Sequence, residues 1–285
     1  MIIKNKIIKR LFVVAAAIFA ISVFCTWQNN AITTTLIDYS NAKIPEEFNG
    51  FRVVHISDLH NKQFGQNQEP LLKKIHAVSP DIIVVTGDLI DRRKYDLDTA
   101  MVFINGAMKI APVYYVSGNH EAWSGDYKNI CEKLLSSGVQ ILDDTKATLF
   151  KGKGKIEILG LSDPDFLTSS YMDGTNSSKL KEHLERSSDD AVFQILLCHR
   201  PELLDIYVSE NIDLIFSGHA HGGQVRIPFI GALVAPDQGL LPKYTSGAYT
   251  KNQSTMIVSR GLGNSIIPIR IFNGPEIIVV TLRSE

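Results

Sequence analysis

The sequence predicts a mixed α/β fold made of two packed sheets. Between residues 51 and 137, short apolar runs alternate with helical patterns. These runs are continuous in Val and Ile, which marks strands buried on both faces, as in a parallel sheet. The second half holds more strand candidates and fewer helices, so a second, mixed sheet is expected against the first. A length of 285 residues with 45% hydrophobic content suits one large core, since single cores stop growing near roughly 250–300 residues.

The elements follow in chain order. Residues 28–50 read as a linker with one edge strand at 32–37. FRVVHIS (51–57), DIIVVTG (81–87) and PVYYVSG (112–118) read as strands. Helical patterns cover 69–78, 97–110 and 126–137. Further strands are expected at 139–142, 147–150, 156–161, 192–198, 214–216, 255–259 and 277–282, with helices at 177–186 and 201–209. No internal repeat or low-complexity tract divides residues 51–285, which read as one domain.

The composition excludes some functions. Charged residues make up 21%, too few for a disordered or coiled-coil chain. Net charge is −1, which argues against a broad nucleic-acid-binding surface. The charge is unevenly placed. Lys4, Lys6, Lys9 and Arg10 are the only charges before residue 38, so the remainder is acidic. Residues 1–10 form a basic tip, and residues 11–27, LFVVAAAIFAISVFCTW, carry no charge. A spanning helix needs about 20 apolar residues, with a range of roughly 17–25. No small-x-small cleavage site follows, because Phe24, Cys25, Thr26 and Trp27 lead into Gln28. The segment therefore reads as an uncleaved signal anchor, with a cleaved signal peptide as the alternative. Basic residues before it place the tip in the cytoplasm and the body outside, at a single-pass membrane protein. Cys25, Cys131 and Cys198 are too few for a disulfide framework.

Polar residues recur where strands end. Ser57-Asp58-Leu59-His60 follows the first strand, Gly87-Asp88 the second and Gly118-Asn119-His120-Glu121 the third. His199 and then Gly218-His219-Ala220-His221-Gly222-Gly223 end two strands of the second half. Five of the eight histidines fall at these points. Loops beyond the carboxyl ends of strands form the ligand crevice of an α/β sheet. Each signal alone is weak, since a lone Gly-Asp is a turn and a lone Asn-His often caps a helix.

In this order, the blocks SDLH, GDLID, GNHE, CHRPE and GHAHGGQ resemble the calcineurin-like metallophosphoesterase superfamily. The resemblance runs from about residue 32 to 282. The GHAHGGQ form, the anchor and the ending RGLGNSIIPIRIFNGPEI look like its membrane-associated bacterial YkuE/YaeI-like branch. The resemblance implies a four-layer α/β/β/α sandwich, metallo-dependent phosphatase-like, and a metallophosphoesterase domain over 51–285. It implies two divalent metal ions, Mn, Fe, Co or Zn, which suit oxygen and imidazole ligands. Asp58, His60 and His221 would hold one ion. Asn119, His199 and His219 would hold the other, and Asp88 would bridge them. A water or hydroxide between the ions would attack phosphorus, and His120 would stabilise the transition state or protonate the leaving oxygen.

Supporting residues are read more coarsely. Asp91 is expected to orient a ligand or bind Arg92, or simply to close a surface turn. Glu121 is expected to hold the Asn119-His120 loop. His55 reads as a core residue, and His76 and His183 as ordinary helix residues. Arg200, Arg226, Arg260 and Arg270 divide between phosphate contacts and structural ion pairs. Residues 162–178 and 225–253 should form the rim of the pocket. The resulting expectation is a phosphoesterase acting on a phosphodiester or pyrophosphate. Location alone suggests a phosphate ester linked to lipid or envelope. An extracytoplasmic nucleotide or nucleic-acid phosphodiesterase is the alternative, and a non-catalytic metal-binding scaffold is disfavoured because every motif position is filled. No nucleic-acid surface and no protein partner are inferred.

Overall fold

The structure is a computed structural model that describes residues 2–167, 175–265 and 268–285. The chain opens with a long helix, α1 (Ile2–Asn30), longer at both ends than the apolar run alone. Strand β1 (Thr33–Asn41) follows at once. Then come β2 (Arg52–Ile56), α2 (Glu69–Ala77), β3 (Ile82–Thr86), α3 (Leu97–Ala107), β4 (Val113–Val116), α4 (Asn119–Ser124), α5 (Tyr127–Ser136) and β5 (Gln140–Ile141). The second half runs β6 (Lys146–Lys151), β7 (Gly154–Gly160), α6 (Thr175–Ser187), β8 (Phe193–Leu197), α7 (Leu204–Ser209) and β9 (Leu214–Ser217). Two short hairpins follow, β10 (Arg226–Ile227) with β11 (Gly231–Ala232), and β12 (Val234–Ala235) with β13 (Gly239–Leu240). The chain closes with β14 (Gly247–Lys251), β15 (Ser254–Val258) and β16 (Glu276–Ser284).

Two six-stranded sheets result. The first has the order β1-β16-β2-β3-β4-β5 and the second β14-β15-β9-β8-β7-β6. Strands β2 to β5 are parallel, as their unbroken Val/Ile runs require, and β16 runs antiparallel to β2. In the second sheet β15, β9, β8 and β7 are parallel, flanked by antiparallel β14 and β6. Val53, Val84 and Val116 of the first sheet meet Ile158, Ile195 and Phe216 of the second in a shared core. The outer face of the first sheet buries Leu71, Phe103 and Ile130 from α2, α3 and α5. The outer face of the second buries Leu184 and Val208 from α6 and α7. The layers are therefore helix, sheet, sheet, helix, as expected.

Three features were not expected. Helix α4 starts at Asn119 directly after its strand, where the sequence reads only as a motif loop. Strand β14 is an exposed edge whose alternation is too weak to read. The β10–β13 hairpins are two residues per strand, below any periodicity signal.

Candidate metal centre

All seven expected ligands sit just past the carboxyl ends of β2, β3, β4, β8 and β9, and all are buried. The chain turns sharply there. Asp58, His60, Asp88, His219 and His221 all adopt positive φ, between 47° and 63°. Such residues cost of order 1–3 kcal/mol each and persist only where the surroundings fix them. Two glycines make that packing possible. A Cβ on Gly218 would meet Ser57 Oγ at 1.9 Å and Asp58 Oδ2 at 2.5 Å. A Cβ on Gly118 would meet Asp88 Oδ1 at 2.4 Å.

The ligating atoms converge. His60 Nε2 lies 3.0 Å from His221 Nε2 and 3.4 Å from Asp88 Oδ2. His221 Nε2 lies 3.3 Å from Asp58 Oδ1. His199 Nε2 lies 3.3 Å from Asp88 Oδ2, 3.1 Å from Asn119 Oδ1 and 3.2 Å from His219 Nδ1. Among the described residues, Asp58, His60, Asp88 and His221 form one group with ligand atoms within 4.8 Å, and Asp88, His199 and His219 form a second. Asp88 belongs to both. The donor set fits divalent cations. Two ring nitrogens and two carboxylates face one another, and among the described residues the buried Nδ1 atoms of His60 and His221 have no hydrogen-bond partner.

Electrostatics point the same way. Burial, with the neighbouring Asp88 charge, pushes the Asp58 carboxyl up to about 6. Burial pushes His60 down to about 3 and His221 well below its usual range. Burial opposes charge on His199 too, yet the Asp88 and Asp58 carboxylates lift it to about 10. Asp88 is held well below the carboxylate range despite burial, chiefly by His199 and His120. Charge is thus favoured on the His199–Asp88 pair, while burial disfavours it on Asp58, His60 and His221.

The support around these ligands is specific. His199 Nδ1 donates to the Thr86 carbonyl at 2.7 Å, which aims Nε2 at Asp88. The Glu121 carboxylate accepts from the backbone N–H groups of Asp88 (2.8 Å), Gly118 (2.8 Å) and Ile90 (3.2 Å). It thereby fastens the GDLID loop to the GNHE loop, the support expected of it. Asp91 closes the turn at Arg92–Lys94, accepting Arg93 N–H at 2.9 Å, and it pairs with the Arg93 side chain, by Nε at 3.0 Å and Nη2 at 2.9 Å, rather than with Arg92. The Arg92 guanidinium instead lies over the Trp123 ring at 4.5 Å. Asp91 Oδ1 is 3.5 Å from His120 Nδ1, and no ligand atom of Asp58 or Asp88 contacts it among the described bonds.

His120 lies beside the ligands with Asp88 accepting its backbone N–H at 2.8 Å. Arg92 N–H donates to its Nδ1 at 3.2 Å, so the neutral ring carries its proton on Nε2. A cavity of about 450 Å³ opens here, walled by Asp88, Asn119, His120, Arg92, Trp123 and Asp237. A larger groove of about 880 Å³ between α2 and α3 holds no cluster of ligating side chains, so size alone does not mark the site.

Three of the four undecided arginines, Arg200, Arg226 and Arg270, are held by the fold. Arg200 is buried against Asp163 at 2.7 and 3.0 Å, Asp165 at 2.8 Å and Asp237 at 2.5 Å. Arg226 binds the Gly222 carbonyl at 2.9 Å. Arg270 is buried among the carbonyls of Arg260, Gly263 and Asn273. Arg260 Nε lies 3.9 Å from Glu276. His55 is a core residue, with Nε2 2.8 Å from Thr86 Oγ1. Of the expected rim, Asp163 and Asp165 turn inward to Arg200, Pro236 and Asp237 line the cavity, and residues 168–174 lie outside the described residues. Trp123, Arg92, Asp163 and Asp237 were not singled out from sequence. Trp123, four residues after Asn119 on the same short helix, was the readable one.

Residues 51–223 match the calcineurin-like phosphoesterase family. The metallophosphoesterase YkuE of Bacillus subtilis, uncharacterized by its name, is 33% identical over 90% of this chain and 87% of its own. The Campylobacter jejuni metallophosphoesterase Cj0846 is 28% identical over 99% of this chain and 72% of its own. A zebrafish transmembrane protein with a metallophosphoesterase domain is 26% identical over 85% of this chain and 55% of its own. With a family match over most of its body and a relative at 33% identity along nearly its full length, the chain belongs to the calcineurin-like metallophosphoesterases, a metal-dependent family of phosphoesterases.

Proposed function

We propose that this enzyme is membrane-anchored and hydrolyses a phosphodiester or pyrophosphate bond at two divalent ions. Asp58, His60 and His221 would hold one ion, Asn119, His199 and His219 the other, with Asp88 shared. The observation that carries this reading is Asp88 itself, the one carboxylate common to two groups of ligand atoms. When bound, two such ions lower the pKa of a water between them and polarise the phosphoryl oxygens. The chain's own groups do the rest. His120 presents a proton at Nε2 for the leaving oxygen, while Arg92 on the cavity wall attracts the phosphate. Glu121 keeps Asp88 and Asn119 in register by holding both loops. The P–O bond breaks as the water oxygen bonds to phosphorus, and the leaving group departs with a proton.

Membrane attachment is supported by α1. Ile8–Asn30 is long and apolar enough to span a bilayer, and its side chains are exposed. The basic residues before it favour a cytoplasmic N-terminus and an extracytoplasmic body. A phosphate ester of lipid or envelope is then the substrate nearest to hand. A nucleotide diester is the second reading, since half-exposed Trp123 offers a ring for a base at the cavity wall.

Full-length protein in detergent, stripped and reloaded with Mn or Zn, should bind two ions per chain and cleave a nitrophenyl phosphodiester. Asp88→Asn should lose both properties. His120→Ala should keep the metal and lose rate by about 10²–10⁴-fold. One ion per chain, or undiminished His120→Ala turnover, would refute this assignment. Competition by nucleoside monophosphates would favour the second reading.

A further inference from the structure

The hairpins after the metal loop carry large apolar side chains in full exposure. Phe229 is 109% exposed, Leu240 84%, Leu241 68% and Ile230 64%. A soluble face normally scatters such residues singly. Here Phe229 and Ile230 sit in the β10–β11 turn, while Leu240 ends β13 and Leu241 follows it, and backbone hydrogen bonds stitch the two hairpins together. Leu233 N–H donates to Val225 O at 3.2 Å, and Leu241 N–H to Leu233 O at 2.9 Å. Arg226 N–H donates to Ile271 O at 3.0 Å, which ties the hairpins to the segment around Phe272.

That segment also clasps the end of α1. The Phe24 and Phe272 rings are 5.6 Å apart. Asn273 N–H donates to Gln28 Oε1 at 3.2 Å, Arg270 N–H donates to Asn29 Oδ1 at 3.0 Å, and Asn29 Nδ2 donates to Pro268 O at 3.1 Å. Helix length then fixes the depth. Arg10 is the last charge, and residues 11–27 rise roughly 25 Å at about 1.5 Å per residue. A bilayer's hydrocarbon core is about 30 Å thick. The uncharged stretch is thus no longer than the core it crosses, so the body that follows α1 sits against the membrane. Phe24 lies about 4–5 Å deeper than Trp27 along the axis, and Phe272 touches it there.

We propose that the β10–β11 turn and the end of β13, with Phe272, are seated in the lipid leaflet from which α1 emerges. Their side chains enter about 5–10 Å into the boundary between headgroups and acyl chains. This rests on the reading of α1 as a membrane anchor. It also deepens the proposed function. The β12–β13 turn carries Pro236 and Asp237, which wall the metal cavity. The cavity therefore opens beside the headgroup layer, and its substrate class is a phosphodiester lipid reached without leaving the bilayer.

Tryptophan quenching by brominated lipid tests the seating. Full-length protein is placed in vesicles of phosphatidylcholine and phosphatidylglycerol, with or without dibrominated phosphatidylcholine. Phe229→Trp and Leu241→Trp should each lose the emission they add when the lipid is brominated. Phe150→Trp should not. Phe150 is 74% exposed but neighbours Lys151, which lies over Phe51 at the other end of β16 from α1. Full emission from the Phe229 and Leu241 variants, with native Trp27 quenched, would overturn the seating and leave the anchor standing. A second copy of the chain or a partner protein on this face would give that result. Unquenched Trp27, identified by comparison with Trp27→Phe, would overturn both. Joining Phe229→Glu with Leu241→Glu should preserve cleavage of a soluble nitrophenyl diester and reduce cleavage of the same reporter attached to diacylglycerol in vesicles. An unchanged ratio between the two would overturn lipid access.

Discussion

Replacing Arg200 by Met should weaken both the fold and the metal centre, by separable amounts. The Arg200 guanidinium is buried, and Asp163, its bidentate partner, is buried with it. Removing the cation leaves the Asp163 carboxylate in the interior without its main counter-charge. Breaking a buried pair on one side costs about 3–5 kcal/mol, a large part of the roughly 5–15 kcal/mol that holds most folds. The second effect runs through His219. Its Nε2 lies 2.8 Å from Asp237 Oδ2 and 3.1 Å from Arg200 Nη1, and that contact turns Nδ1 towards His199. Loss of such an orienting partner typically costs 10–100-fold in metal affinity. Arg200→Lys should recover part of the stability, because it restores charge but not the fork that binds Asp163 twice. Adding Asp163→Asn to Arg200→Met should recover stability as well, since it removes the stranded charge. The assays are denaturant unfolding of the metal-free chain for both single variants and the double variant, and metal titration of each. Strictly additive unfolding costs would refute the pairing, because contacting charges should couple by about 0.5–3 kcal/mol. Unchanged metal affinity in Arg200→Met would refute the route through His219.

Three further outcomes follow from the same geometry. Gly218→Ala should abolish metal binding while leaving the rest of the fold cooperative, because its Cβ would overlap Ser57 Oγ and Asp58 Oδ2; full metal content would refute this. Chelation should lower the melting temperature on the order of 20 °C, since each of two ions at 1,000 times its Kd contributes about 4.1 kcal/mol; an unchanged melting curve would argue against the cluster as an ion site. Asp143 lies away from the ligands, and burial raises its carboxyl even though Tyr127 O–H and Ser117 N–H donate to it. An acid raised on folding gives stability that is present at low pH and lost as pH rises through the folded value. Asp143→Asn should therefore gain relative to the parent as pH rises above the ordinary carboxylate range, and a pH-independent difference in unfolding free energy would refute that.

Much of this was legible because strands and ligands share one sequence logic. A Val/Ile run ends, a glycine or small residue permits a tight turn, and a short polar side chain follows. Asp, Asn and His tolerate positive φ better than most residues, so the residues that ligate also suit the turns that present them. Asp58, Asp88 and His219 each combine both properties. The supports were less legible because they depend on pairing across the chain. Asp163 and Asp237 lie 37 residues to either side of Arg200, and neither position carries a local pattern. The partner of Asp91 stayed open for a related reason. Arg92 and Arg93 are equivalent neighbours in sequence, and only the turn decides that Arg93 folds back while Arg92 reaches Trp123. The hairpins at 226–240 escaped notice because two-residue strands have no periodicity to read.

The distribution of acids explains how an acidic body can serve an anionic substrate. Asp163, Asp165 and Asp237 converge on a single buried arginine, and Asp237 also holds His219. Arg200 offsets part of their charge, and Asp163 is fully buried, so the cluster fixes a ligand's orientation and directs much of its field inward. Asp58 and Asp88 face the proposed ions and Glu121 accepts backbone N–H groups, so these acids too are turned inward. The cavity wall carries Arg92 over Trp123, Arg93 paired with Asp91, and Asp237 paired with Arg200. Coulomb energy depends on distance and on the local dielectric, so the proposed ions, with Arg92 nearby, outweigh a diffuse acidic excess spread over the body and screened within about 8–10 Å. The same logic applies beside the bilayer. Anionic lipids repel an acidic body at long range, and a short helix that forces apolar turns into the leaflet would offset that repulsion without any basic patch.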